Sequence, residues 1–263
     1  IGANTVGSLV ASAWGMTLDS VEYAPIGYGS YHWYASGGGS RWLVTADVAD
    51  QRPLAAAYEL THRLGEQFGF VRSPLAQRGG GLVLESDGWL ITVWPWIGGR
   101  SGAFGDRQSP GDVAAIAGCL RQLHDYAEIP SAVELIEEWD IPGRAMLVEA
   151  LGDNAGGENT GPYAAEMEDR IAANRSRLLD MLARFDDLAA RVRDETQLVI
   201  THGEPHVANV VHSEAGPVLI DWDTVRWAPR ERDLWWLPGE SWRKAYGPDQ
   251  PISEQAIEMY RLR

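Results

Sequence analysis

The chain has one cysteine, Cys119, and one lysine, Lys244, in 263 residues. A lone cysteine excludes an intramolecular disulfide and makes a reducing cytoplasm the expected compartment. Cys119 lies in an apolar helical stretch and reads as a core residue. No apolar run approaches the roughly 18 residues that a membrane-spanning helix needs. The stretch IGANTVGSLVASAWG at the start lacks a basic segment and reads as a short amphipathic helix, not a signal peptide. Positive charge is scarce: 22 Lys and Arg stand against 37 Asp and Glu, a formal net charge of −15. That balance argues against a nucleic-acid partner and suits a cationic small molecule. No internal repeat is visible. What is present is an ordinary globular composition, 45% hydrophobic and 22% charged, on a chain long enough for a sizeable core.

Residues 1–93 read as α+β. Val6, Leu9, Val10 and Ala13 fall at helical spacing within Thr5–Trp14. Strand-like runs follow at Ser20–Ile26, Ser30–Ala35 and Arg41–Val48, separated by Gly27-Tyr28-Gly29 and Gly37-Gly38-Gly39. Pro53 opens a helix to about Phe68. Gly81–Glu85 and Trp89–Trp94 read as a hairpin turned at Asp87-Gly88. Beyond Trp94–Gly99 the pattern becomes helical. Residues 100–109 read as a loop, and Ser109-Pro110 starts a helix to about Tyr126. Ser131 with Glu134 has capping-box spacing, and Gly152–Gly161 is rich in glycine. A long helix over Tyr163–Arg193 carries Met167, Ile171, Leu178, Leu182, Phe185, Leu188 and Val192 on one face. Leu198–Thr201 is a short buried-strand pattern. A hairpin turns at Ser213–Gly216 and returns as the strand Val218–Asp221. A last helical pattern begins near Ser253.

The chemistry concentrates in VITHGEPHVANVV, residues 199–211. His202 and His206 are four apart, which on a helix would place two metal ligands on one face. Pro205 and Gly203 break that helix, and the spacing is not the H-E-x-x-H of zinc hydrolases. The spacing His202-x-Glu204-x-x-x-x-Asn209 instead matches the kinase catalytic loop H-x-D-x-x-x-x-N, with Glu in place of Asp. Phosphoryl transfer needs a carboxylate at the attacking hydroxyl, and oxygen ligands for magnesium. Asp221 follows at the end of an apolar strand, in Leu219-Ile220-Asp221-Trp222-Asp223, so Asn209 and Asp221 form a candidate metal pair.

H-G-E-P-H-x-x-N followed by L-I-D-W-D resembles the aminoglycoside phosphotransferase family, whose usual strings are close to H-G-D-x-x-x-x-N and I-D-W. Pro229-Arg230-Glu231-Arg232-Asp233-Leu234 resembles the Pro-x-x-x-Asp-Leu segment of that family, and Leu120–His124 (LRQLH) its helix bearing a Leu-His pair. The resemblance implies an α+β, protein-kinase-like bilobal fold. An N-terminal nucleotide-binding lobe (1–97) with an antiparallel sheet and a helix would precede a mostly helical C-terminal lobe (98–263) with a catalytic hairpin. It implies Glu204 as catalytic carboxylate, His202 as a structural residue of the catalytic loop, Asn209 and Asp221 as magnesium ligands, and Asp233 as a structural brace. Gly27, Gly29 and Ser30 would cover the phosphates of ATP or GTP. Trp94, Trp96 and Ile97 would form the hinge against the base. Members of the family usually continue past a helix like the last one here with further helices lining the substrate site.

Two departures matter. Glu204 is one methylene longer than Asp, a shift of about 1.5 Å, and misplacement by about 1 Å can cost roughly a hundredfold in rate. The lysine usual on the third strand is missing. Thr45 is its aligned position, Arg41 and Arg52 are the nearby cations, and Glu59 or Glu66 would lack the usual partner; arginine is not equivalent to a compact ammonium. The leading expectation is an ATP- or GTP-dependent O-phosphotransferase acting on a small cationic acceptor such as an aminoglycoside or basic peptide antibiotic. Glu134, Glu137, Glu138, Asp140 and Glu231 are candidate cation contacts. A metabolite kinase with a choline- or sugar-like acceptor is one alternative. A kinase-like binding module that has lost catalysis is the other.

Overall fold

The computed structural model describes residues 1–49, 53–127, 132–152 and 161–263. Arg52, Ser131 and most of the glycine-rich stretch Gly152–Gly161 lie outside those residues. The chain begins with α1 (Ala3–Trp14), β1 (Ser20–Ala24), β2 (Tyr31–Gly37), β3 (Ser40–Val48), α2 (Leu54–Gln67), β4 (Leu84–Ser86) and β5 (Trp89–Pro95). The five strands form one antiparallel sheet in the order β1-β2-β3-β5-β4. Asp87 (φ 48°) and Gly88 (φ 78°) both take the left-handed conformation that a tight hairpin between β4 and β5 requires.

Alternation along the strands gives this sheet two unlike faces. Trp33, Ala35, Val44, Ala46, Ile91 and Val93 form one core with Val6, Val10 and Trp14 of α1. Thr45, Asp47 and Thr92 are buried on the other face. β3 is therefore an apolar strand on one side and a polar one on the other, and its polar side carries Thr45 and Asp47.

The rest of the chain comprises β6 (Arg100–Ser101), α3 (Pro110–His124), α4 (Arg144–Ala150), α5 (Ala164–Glu195), β7 (Val199–Thr201), β8 (Val210–Ser213), β9 (Gly216–Leu219), β10 (Arg226–Ala228), α6 (Glu231–Leu234), α7 (Ser241–Tyr246) and α8 (Glu254–Leu262). Ser109 caps α3 by accepting from Asp112 N at 3.1 Å, with Pro110 at the first helical position. Ser253 caps α8 in the same way. Val113, Ile116, Leu120 and Leu123 of α3 share the largest core with Leu60 and Leu64 of α2 and with Leu219, Trp222 and Trp227 around the hairpin. The segment leading into residues 202–209 and the hairpin after it are thus packed against α2 and α3. Truncating a buried aromatic such as Trp222 would cost about 3–5 kcal/mol. Cys119 is buried in α3, where burial pushes its thiol up to about 11.

The structure corrects several boundaries. The short strands β6 and β10 were not visible as strands; at two and three residues they carry no alternation to read. Helix α4 lay in a stretch without a helical reading. The second hairpin strand stops at Leu219, and Asp221 leaves it in a left-handed conformation (φ 67°). The apolar stripe of α5 is core only from Leu182 onward; Met167, in the first half, is exposed.

Candidate active site

β7 pairs with β10 and delivers the chain to His202 at the start of the 202–209 loop, the candidate catalytic loop. His202 is fully buried. Its Nε2 lies 2.8 Å from the Ile220 carbonyl and its Nδ1 3.2 Å from the Glu204 N–H. A carbonyl only accepts and an amide N–H only donates, so Nε2 carries the proton and Nδ1 accepts. Burial pushes the imidazole down to about 4, which keeps it neutral. Both ring nitrogens thus meet backbone groups, the ring packs on Trp222 at 4.5 Å between centroids, and the residue bearing the exposed carboxylate is oriented by it.

Below the loop every strong donor meets an acceptor. Asp233, fully buried, accepts from His202 N (2.9 Å) and Gly203 N (2.6 Å), and its Oδ2 is 2.9 Å from His124 Nε2. His124 Nδ1 continues the chain to the Tyr246 hydroxyl at 2.7 Å. Burial alone would raise the Asp233 carboxyl, but the hydrogen bond and charge of His124, with His202 and Arg232, hold it below the usual carboxylate range. Arg232 donates to Thr201 Oγ1 (2.9 Å) and to the Thr224 carbonyl (2.8 Å). Gly203 is obligatory here: its φ is 104°, and a Cβ would lie 2.5 Å from the Arg232 guanidinium.

Above the loop the carboxylates face one another. Asn209 Nδ2 donates to the Glu204 carbonyl at 3.1 Å, which leaves the carbonyl end of the amide as the ligand it can offer. Asn209 O accepts from Ile220 N at 3.0 Å, and Val210 pairs with Leu219, so the hairpin register sets Asn209 beside Asp221. Solvent reaches the Asp221 side chain, yet the cleft walls enclose it. That enclosure pushes its carboxyl up to about 7, reinforced by Asp223, Glu204 and Asp47. The left-handed backbone of Asp221 is tolerated by aspartate and is a conformation found at functional sites. The Glu204 side chain is about half exposed, with Oε2 3.9 Å from His206 Nε2. Among the described residues, no three His, Cys, Asp or Glu side chains converge to hold an ion by themselves.

From the N-terminal sheet, Gly27 (φ 71°) and Gly29 (φ 84°) form a turn with Tyr28 fully exposed at its tip. Ser30 Oγ donates to Asp47 Oδ1 at 2.5 Å. Thr45 Oγ1 lies 3.3 Å from His32 Nδ1. Arg41 does not stand in for a lysine: its guanidinium stacks over the Trp96 ring at 4.2 Å. Trp94 packs on Tyr58, while Trp96 is partly exposed and its N–H is taken by the Arg41 carbonyl. Ile97 is half-buried beside them, and Glu59 and Glu66 are exposed on α2.

Two of the expected cation contacts are structural instead. Glu137 is buried and accepts from Arg263 Nη1 (2.6 Å) and the Tyr260 hydroxyl (3.1 Å). Glu231 is buried and accepts from Ser253 N at 2.8 Å. Both carboxylates are buried against partners distant in sequence, so neither is an exposed contact for a ligand. Glu138 pairs with Arg226 at 2.8 Å, Asp140 lies 3.4 Å from Arg144, and Glu134 is exposed. The sequence reading overlooked Asp47 and Asp223 in the carboxylate group. The signal for Asp47 was its place two residues after Thr45, on the same polar face of β3. It also overlooked Arg232, which lies in the charged run Arg230-Glu231-Arg232-Asp233 and reads there as a solvated residue, although the fold buries it.

A sequence model of the phosphotransferase enzyme family matches residues 21–256. Protein StrN of Streptomyces griseus is 28% identical over 260 residues, spanning 94% of this chain and 76% of StrN. The structure of spectinomycin phosphotransferase APH(9)-Ia in complex with ADP and spectinomycin superposes with a TM-score of 0.79 at 16% identity, over 100% of this chain and 84% of that one. Amicoumacin kinase hAmiN, solved with AMP-PNP and Ca2+, gives 0.71 at 12% identity, over 100% and 83%. At such identities the superpositions establish the fold, an antiparallel N-terminal sheet followed by a helical C-terminal part, as in the kinase-like aminoglycoside phosphotransferases. Matched over most of its length, the chain belongs to the phosphotransferase enzyme family.

Proposed function

We propose that this phosphotransferase moves the γ-phosphoryl group of ATP to a hydroxyl of a small cationic molecule. The observation that carries the reading is the meeting of Glu204, Asn209 and Asp221 at one loop and hairpin, where enclosure, reinforced by the charges of Asp223, Glu204 and Asp47, pushes the Asp221 carboxyl up to about 7. Carboxylates held against their own repulsion favour a cation. Asn209 and Asp221 would hold magnesium; the ion, when bound, would neutralise charge on the transferring phosphoryl group. Two protein oxygens suit an ion otherwise coordinated by phosphates and water. Glu204 would orient the acceptor hydroxyl and take its proton. His202, neutral and buried, would fix the backbone of Glu204.

Residues 1–97 would form the nucleotide lobe. Gly27, Gly29 and Ser30 would lie over the phosphates, Thr45 beneath them, and Trp94, Trp96 and Ile97 at the base. Residues 98–263 would carry the acceptor. The solved relatives above hold adenine nucleotides, which supports ATP over GTP. The acidic chain supports a cationic acceptor, with Glu134, Glu138 and Asp140 as exposed contacts, and relatives named for spectinomycin and amicoumacin support a small-molecule one. Inactivation of an antibiotic in the cytoplasm and phosphorylation of an amino-alcohol metabolite both fit that acceptor class.

The test is a transfer screen with γ-labelled ATP against aminoglycosides, basic peptide antibiotics and amino alcohols. Once an acceptor is found, Glu204→Gln should cut turnover about tenfold or more, and Asp221→Asn should nearly abolish it. Full activity in both variants would sink the assignment. The second reading, a binding module, is favoured by Thr45 standing where a lysine is usual. It predicts ligand binding with no labelled product from any acceptor.

A further inference from the structure

Three rings form a corner beside Glu204 that the phosphotransfer reading does not use. Phe104 lies 5.0 Å from His206 and 6.3 Å from Trp236, and His206 lies 5.1 Å from Trp236. The interplanar angles are 86°, 79° and 71°, so each ring meets the others edge-on. This is a walled corner, not a stack. Phe104 is 72% exposed, which an apolar ring in a fixed position does not need for packing.

The position is indeed fixed. Ala103 N donates to Asp106 Oδ2 at 2.8 Å, and Asp106 N donates to the Ala103 carbonyl at 3.0 Å, so the turn closes on both sides of Phe104. Just before it, Gly102 sits so near the catalytic loop that a Cβ would come within 2.5 Å of the Val207 side chain. Trp236 is pinned from the other side, donating from Nε1 to the Gly203 carbonyl at 2.7 Å. All three rings are therefore held to the loop bearing Glu204. His206 provides the bridge: its Nε2 is 3.9 Å from Glu204 Oε2, and its enclosed Nδ1 has no hydrogen-bond partner.

From this juxtaposition we infer that the Phe104–His206–Trp236 corner, next to the Glu204 carboxylate, is the acceptor's ammonium-binding subsite. Aromatic faces attract cations through the ring quadrupole, and a neighbouring carboxylate adds a counter-charge. A neutral ligand would gain neither. Because Glu204 borders the corner and would also meet the reacting hydroxyl, the preferred acceptors carry ammonium and hydroxyl only a few bonds apart. Amino alcohols and amino-substituted sugars or cyclitols have that arrangement. The inference rests on the phosphotransfer reading for the word acceptor, but binding at the corner can be measured without transfer.

Choline and 3,3-dimethylbutan-1-ol have the same shape and differ in charge. Titration of each into the whole chain, followed by tryptophan fluorescence and calorimetry, should show saturable choline binding and about fivefold or weaker binding of the neutral isostere. Phe104→Leu should weaken choline about fivefold or more, and leave the melting temperature of the ligand-free protein within about 2 °C of wild type, because the ring is exposed. Equal binding of the two probes, absence of choline binding, or an unchanged choline affinity in Phe104→Leu would overturn the inference. The two readings fail separately. Choline binding without any labelled product defeats transfer and leaves the corner standing. Transfer to a cationic acceptor with an unchanged KM in Phe104→Leu defeats the corner and leaves transfer standing.

Discussion

The two sides of the catalytic loop are built on opposite electrostatic principles. Beneath it, Asp233, His124, His202 and Arg232 are buried with their charges and donors matched, and the Asp233 carboxyl is held low. Above it, Asp221 stands with Asp223, Glu204 and Asp47, and its carboxyl is pushed high. A buried charge that is fully paired rigidifies its surroundings. Carboxylates crowded without a cation tend to be stabilised by binding one. The lower side therefore determines where the loop sits, and the upper side is where the proposed cation would be held.

Removing one charge from each side should break this comparison most visibly. Asp233→Ala strands the His202 and Gly203 amides and the buried His124 ring, and should cost about 3–5 kcal/mol of stability. Asp221→Asn relieves repulsion, so the ligand-free protein should melt at the wild-type temperature or above it, while turnover falls to near zero. Chemical denaturation of both variants checks this. A destabilised Asp221→Asn would show that the cleft is part of the scaffold after all.

The pH dependence sharpens the same contrast, because the two sides titrate with opposite sign. His202 is held at about 4 when folded, against about 6.5 for an ordinary histidine. The unfolded chain therefore takes up a proton there as pH falls below about 6.5, and the fold loses up to about 3 kcal/mol by pH 4. Asp221 is raised when folded, so the folded state holds the extra proton. Its effect is to lower stability as pH rises from about 4 to about 7. In the wild type the two slopes oppose. In Asp221→Asn the opposing slope from Asp221 is gone, and denaturation between pH 4 and 7 should show stability rising more steeply with pH than in the wild type.

Glu204→Asp tests the additional methylene. If the acceptor is seated for the longer side chain, shortening it should lower kcat by about ten- to a hundredfold with little change in melting temperature. An increase in kcat would mean that the site is seated for aspartate.

How much of this was legible in the sequence follows from distance along the chain. Glu204, Asn209 and Asp221 belong to one loop and one hairpin, so local spacing locates them. Asp47 joins them from a strand of the N-terminal sheet, and only the sheet register and the packing of the two parts reveal it. Glu137 and Glu231 read as cation contacts because Arg263, Tyr260 and the Ser253 amide, which enclose them, are remote or backbone groups. β6 and β10 are too short to show a period. The corner of Phe104, His206 and Trp236 comes from three separate segments, so no local spacing in the sequence reveals it.

The most direct measurement is the thermal shift produced by Mg2+ and AMP-PNP in the wild type and in Asp221→Asn at pH 7.5. The account predicts clear stabilisation of the wild type and almost none of the variant, with the variant's ligand-free melting temperature no lower. An equal shift in both proteins, or none in the wild type, would contradict it.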